Sequence, residues 1–178
     1  MARSKEIEID TRLGRRRVDT EKIVRFPRGL AGFENEREFI LLQIRPEAPL
    51  LILQSVATPL VGLLVADPYS FFDKDFFKPH VGEAERQLLQ IDSLEDAALL
   101  VTVSIPSGAP EKAVLNLTGP IVINHKARVG LQVPQSTDGP QQINMHSLKP
   151  VEPEREETPS RGENTASGPV AAGKAGDG

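Results

Sequence analysis

From Ala97 to Val133 the chain repeats one short pattern, and that pattern limits what it can fold into. A run from Ala97 to Ile105 is followed by the turn Pro106-Ser107-Gly108-Ala109-Pro110, a second run from Lys112 to Leu117, then Thr118-Gly119. A third run covers Pro120 to Asn124, a charged turn follows at His125-Lys126-Ala127-Arg128, and a fourth run spans Val129 to Val133. Odd positions carry Leu99, Val101, Val103, Ile105, Ala113, Leu115, Leu117, Ile121, Ile123, Val129, Leu131 and Val133, whereas Thr102, Ser104, Asn116, Thr118, Asn124 and Gln132 fall between them. Side chains alternate across a strand, so this parity predicts an antiparallel meander with one face buried throughout and the other buried in part. The expected class is mostly β: a small antiparallel β-barrel-like single domain with one short helix and a few helical turns.

The preceding residues supply the other strands. Glu6 to Leu13 alternates strictly, with Ile7, Ile9, Thr11 and Leu13 on one side, and Gly14 turns the chain into Arg15-Arg16-Arg17-Val18. With Arg12, those arginines form either a phosphate-binding patch or a solvated hairpin whose charge keeps a sheet edge from pairing; edge protection is the ordinary use. Ile23 to Phe26 is a third short strand, stopped by Pro27. In Gly29-Leu30-Ala31-Gly32-Phe33-Glu34 the glycine spacing predicts a tight loop with positive φ at one or both glycines and with Leu30 and Phe33 plugging the barrel mouth. Asn35 to Glu38 reads as one helical turn, and Phe39–Ile44, Leu50–Gln54 and Leu60–Ala66 as strands covered on both faces.

Asp67-Pro68-Tyr69-Ser70-Phe71-Phe72-Asp73-Lys74-Asp75-Phe76-Phe77 holds four of the seven phenylalanines, and no aromatic follows it. Neighbouring rings on an extended segment point in opposite directions. Some must therefore lie at a surface, either filling the barrel end or forming a ridge whose aromatic anchors and acidic rim suit a protein partner. Glu83 to Ile91 is the one helix, with Ala84, Leu88 and Ile91 on its inner face, and Ser93 to Asp96 a capped turn. Residues 1–148 make the domain. Residues 149–178 are rich in proline, glycine and acids, lack aromatics and are expected to be a disordered acidic tail; Ile143 to Leu148 can add an edge strand.

Composition narrows the function. With 178 residues and no cysteine, the chain has no disulfide or thiolate metal site, and its three histidines are scattered. Ser104, Ser107, His125 and Asp96 lack the strained turn of a nucleophile, so no catalytic residue, cofactor or metal is assigned and an enzyme is not expected. No secretory or membrane-spanning pattern is present, which points to a cytoplasmic protein. A net charge of −4 weighs against nucleic acid as the main partner.

Several segments, in order, are similar to the flagellar assembly factor family of the FliW type. They are Gly29 to Glu34, which departs from the family's Gly-Leu-Pro-Gly-Phe-Glu at Ala31, then Leu53-Gln54-Ser55 before Pro59, Asp67-Pro68 with its aromatics, Asn116 to Asn124, and Gly130 to Val133. The sequence leaves the family pattern at Pro134-Gln135-Ser136, where aliphatic residues usually continue the last strand. The resemblance implies two competing protein partners, flagellin and the carbon storage regulator, an RNA-binding translational repressor. Freed from flagellin, the factor would bind the repressor, antagonise it allosterically and relieve repression of the flagellin message. Composition and motif position single out Asp67, Pro68, Phe71, Phe72, Asp75 and Phe76 for the repressor contact, with Phe33, Glu34 and Asn116 next. Asn116 and Asn124 can equally cap strand ends. The alternatives are a direct RNA-binding barrel using Arg12 and Arg15 to Arg17, and a flagellin chaperone without regulatory activity.

Overall fold

The structure is a computed structural model that describes residues 5–148. The expected tail lies outside those residues. Among the described residues ten strands form, in the order β1 (Glu6–Thr11), β2 (Gly14–Asp19), β3 (Val24–Arg25), β4 (Glu38–Gln43), β5 (Leu50–Ser55), β6 (Gly62–Ala66), β7 (Ala98–Ser104), β8 (Val114–Asn124), β9 (Val129–Gln132) and β10 (Gln142–Asn144). The single helix of the described residues, α1 (Glu83–Leu89), lies between β6 and β7. Strands β3 to β9 close on themselves: β3 pairs antiparallel with β4, each of β4 to β8 pairs antiparallel with the next, and β9 returns beside β3 in parallel, Arg25 opposite Val129. Closure removes the edges that would otherwise template aggregation. β10 extends the sheet on β8, and β1 with β2 forms a separate hairpin.

The barrel is filled by Val24, Phe26, Leu30, Phe39, Leu53, Val65, Leu100, Ile121 and Ile123. Phe26 and Phe39 meet edge to face with centroids 5.2 Å apart, both wholly buried. A Cβ on Gly130 would lie 2.5 Å from the Phe26 ring, so glycine is what lets β9 pass this close.

Three elements cover the outside of the barrel. The β1–β2 hairpin lays Ile9 and Val18 on Ile40 of β4. The segment after β6 lays Phe72 and Phe77 on Ala66, Val101, Val103, Leu115 and Leu117. Helix α1 and its flanks set Val81, Leu89 and Ile91 on Val122, Leu131 and Val133. The strands thus have cover on both faces, as their continuous apolar runs require.

The expected parity does not persist through the meander. Residues 112–124 do not form two strands parted by Thr118-Gly119; β8 runs unbroken from Val114 to Asn124. Its pairing with β7 jumps instead: Leu100 faces Ile121, but Thr102 faces Asn116, so Leu117, Thr118, Gly119 and Pro120 bulge opposite Val101. The bulge exchanges the faces. Ile121 and Ile123 point into the barrel, whereas Leu115 and Leu117 point outward under the aromatic segment.

Other local expectations are corrected by burial. Asn35 ends a turn, Glu36 and Arg37 follow without helix, and Glu38 already opens β4; the Glu36 carboxylate accepts from the Ser55 and Thr58 hydroxyls, which holds the chain out of a helical turn. Helix α1 buries Leu89, not Ala84 or Leu88: Gln90 adopts a left-handed conformation (φ 57°) that ends the helix and redirects Ile91 onto the barrel. Leu60 precedes its strand and is 83% exposed. The barrel seam is already made before Pro134, by the β3–β9 and β8–β9 pairings of Val129–Gln132, and past it Gln135 ties back through its backbone N–H to the Thr118 carbonyl.

Candidate functional site

The segment from Asp67 to Pro79 leaves the barrel where β6 ends. Asp67 starts it by accepting the Tyr69 backbone N–H at 2.9 Å, and Pro68, buried, occupies the first position of a 3-10 turn over Pro68–Ser70. Tyr69 donates its hydroxyl to the Phe77 carbonyl at 2.9 Å and so closes the segment on itself. Burial raises the Tyr69 phenol above its ordinary range, with the nearby Asp67 charge adding to the effect. Phe72 is the centre of the ring cluster: Tyr69 stands at 6.3 Å, Phe77 at 6.4 Å and Phe76 at 4.9 Å between centroids.

Exposure of the four phenylalanines is graded. Phe72 and Phe77 are buried, Phe71 is half-buried, and Phe76 is 50% exposed. Each adjacent pair therefore splits into one ring inward and one toward solvent, although the backbone here is turn rather than strand, with Phe71 in the αR region at the end of the 3-10 turn. Phe76 rests its ring on Phe72 and offers the other side. Beside it Asp75 pairs with Lys78 at 2.8 Å, and the ammonium holds the carboxyl below its usual range. Both groups are strongly exposed, so the pair orients the rim without adding much stability.

Phe33 and Glu34 lie at the other end of the barrel. Their loop follows β3, which runs parallel to β9 and, by the alternation through β8 and β7, opposite in outlet to the end of β6. Gly29 and Gly32 both have positive φ, 64° and 81°. Leu30 is buried, but Phe33 is 37% exposed and does not plug the barrel, because the tight Leu30 to Phe33 bridge turns its ring outward. The Glu34 carboxylate accepts the Gly32 N–H at 2.9 Å, which keeps its pKa low. Gln132 joins this loop to the β8 bulge, accepting from Ala31 N–H at 2.8 Å and donating to the Gly119 carbonyl at 3.0 Å.

Asn116 sits within β8 rather than at a strand end. Its amide donates to the Thr102 and Ser104 hydroxyls at 3.2 and 3.0 Å and accepts from Gln142 of β10. Asn124 does cap a strand end, accepting the Lys126 and Ala127 N–H groups and donating to the Leu89 and Gln90 carbonyls. The structure thus groups Asp67, Pro68, Phe71, Phe72, Asp75 and Phe76 on one segment and leaves Phe33 with Glu34, and Asn116, as separate places.

The arginine hairpin is largely answered by its own acids. Arg15 reaches Asp10 at 3.0 Å, Arg17 lies 3.8 Å from Glu6 and 3.6 Å from Glu8, and Arg12 donates to the Gly62 carbonyl at 3.1 Å. Sequence reading missed the polar knot beneath it. Gln54 is wholly buried, with its amide nitrogen shared among the Ser55, Pro59 and Val61 carbonyls (each 3.1 Å) and its oxygen accepting the Arg12 N–H at 3.3 Å. A glutamine breaking an apolar strand run was the available signal. Among the described residues no group of three or more His, Cys, Asp or Glu side chains could hold a metal, and no helix is long and apolar enough to cross a membrane.

Comparison with known proteins identifies the architecture. The family model described as FliW protein matches residues 8–146. The flagellar assembly factor FliW of Desulfovibrio desulfuricans is 74% identical over 151 residues, covering 85% of this chain and 91% of the relative. The protein of the same name from Nitratidesulfovibrio vulgaris is 56% identical over 147 residues, covering 82% and 84%. A crystal structure of the flagellar assembly factor FliW superposes with a TM-score of 0.70 at 33% identity, covering 78% of this chain and 96% of that one. With its closed barrel, its hairpin and its aromatic segment, the chain belongs to the FliW family of flagellar assembly factors.

Proposed function

We propose that this protein is a non-catalytic flagellar assembly factor that holds flagellin and, when free of it, binds and allosterically antagonises the carbon storage regulator in the cytoplasm, relieving repression of flagellin translation. Family membership supports the assembly role. The observation that carries the partner-binding part is the exposed side of Phe76, a large ring presented on a rigid cluster beside Asp75 and the half-buried Phe71. An aromatic held in place by packing loses little freedom when a partner covers it, and an acidic rim favours a basic partner.

The test is Phe76→Ala, alone and with Asp75→Ala, in the full chain, titrated against the purified repressor and against flagellin. Phe72 is left intact because it belongs to the packing. The reading expects repressor affinity to fall about tenfold or more, as for a central aromatic anchor, with the melting temperature nearly unchanged. Undiminished binding by the folded double variant removes this segment from the interface. Arg15, Arg16 and Arg17 are given no part in RNA binding, and the protein alone should leave RNA unshifted in a gel.

A further inference from the structure

The end of the barrel beneath the aromatic segment is not filled by its own side chains. Toward the middle and the far end of the barrel Phe39, Leu53 and Ile121 are fully buried, and at this end Ile123 is too, yet Leu41, Leu51 and Ala98, from the same inward-facing set, remain half-buried. They open into a cavity of about 630 Å³, to which Leu94, Leu100 and Val122 add apolar wall. That volume lies within the range of small-molecule sites, about 300–1,000 Å³, and barrel mouths are one of their usual places.

The rim is polar and its groups are unequally committed. Asp67 is engaged as the cap of its turn, and Glu95 is exposed on the 3-10 turn before β7. Lys74 makes no ion pair among the described residues; its ammonium stands 5.8 Å from the centre of the Tyr69 ring, on the cavity wall. His125 completes the rim and is shared with a smaller cavity of about 280 Å³ that also exposes Lys22 and Arg128, with Glu21 beside them.

We propose that this barrel mouth binds a small amphipathic molecule, an aliphatic chain ending in a carboxylate, with the chain against Leu41, Leu51 and Leu100 and the head at Lys74. The inference does not depend on the partner assignments above. Burying an aliphatic chain removes apolar area from water on both sides, and Lys74, the one lysine or arginine lining the opening and in no ion pair among the described residues, offers an anionic head its counter-charge against the Asp67 and Glu95 carboxylates of the same rim.

The probe is decanoate at concentrations below micelle formation, with decanol and decylamine as head-group controls. Tyr69 is the sole tyrosine of a chain without tryptophan, so tyrosine emission reports from the cavity wall itself. A saturable one-to-one change with decanoate is expected. Lys74→Gln should weaken decanoate about two- to fivefold and leave decanol unchanged, and Glu95→Gln should strengthen decanoate by a similar factor. Ala98→Phe should abolish binding by filling the mouth, with Leu41→Phe as a second blocking variant should the first not fold. The proposal is overturned by a non-saturable response, by undiminished binding in a folded blocking variant, or by decylamine binding as well as decanoate. It is overturned as well if decanoate does not bind while a blocking variant loses flagellin or repressor, since the mouth would then be a socket for a protein side chain.

Discussion

Two aromatic groups in this protein use the same side chain for opposite ends. Phe26 and Phe39 lie inside the barrel, wholly buried and edge to face, with the β9 backbone pressed on Phe26 at Gly130. Phe72 and Phe77 lie outside it, each tied by sequence to a neighbour that turns toward solvent, and Phe76 keeps half its surface exposed. The inner pair has no freedom that a partner could use. The outer group is anchored by its buried members and presents the rest. Pairing a buried ring with an exposed one is thus a way to hold an adhesive surface rigid without adding a scaffold.

The contrast breaks most severely at the inner pair. Phe26→Ala should cost about 3–5 kcal/mol of unfolding free energy, because Phe39 and Gly130 are both close-packed on the missing ring and the barrel cannot collapse around it. Chemical denaturation measures this directly. Gly130→Ala strikes the same contact from the other side, at about 1–3 kcal/mol from overpacking, since its methyl would press into Phe26. Combining Gly130→Ala with Phe26→Leu sharpens the point: the double variant should be more stable than the sum of the two losses predicts, as expected for residues in direct contact.

In the outer group, Phe72→Ala should destabilise by about 2–4 kcal/mol, because Tyr69, Phe76 and Phe77 all rest on that ring. Phe76→Ala should cost under about 1 kcal/mol, as its ring is half in water already. A thermal melt of the two variants separates anchor from surface. Equal losses would show that the segment packs as one unit and presents no independent face.

Much of this arrangement could be read from residue order, and the failures share a cause. Alternation at Leu99 to Val103 and at Ile121 to Leu131 located strands, and Ser93 located its capped turn, because each signal is local. The flip of faces between Leu117 and Ile121 was invisible, since Thr118-Gly119-Pro120 looks alike as a turn or as a bulge and only β7 decides which. Helix α1 was found, but its inner face was misplaced, because seven residues contain too few turns for periodicity to outvote the left-handed Gln90 that ends it. The outward ring of Phe33 and the buried amide of Gln54 likewise depend on contacts made far along the chain.

The Glu36 carboxylate gives the smallest effect and tests a third kind of region, the polar knot under the hairpin. It accepts from the Ser55 hydroxyl at 2.6 Å and from that of Thr58, and these bonds hold its pKa below the ordinary glutamate range in the folded protein. A group whose pKa falls on folding contributes stability above its unfolded value and loses it as the pH drops through the folded one. Wild type should therefore lose stability as the pH falls through and below the usual glutamate range, while Glu36→Gln, already deprived of the charge, should show a shallower acid slope and a small deficit at neutral pH. Denaturation midpoints across that range make the measurement. Parallel slopes for the two proteins would place the acid sensitivity elsewhere, in the lowered carboxylates of Glu34 and Asp75, and leave the knot around Gln54 as a neutral hydrogen-bonded brace.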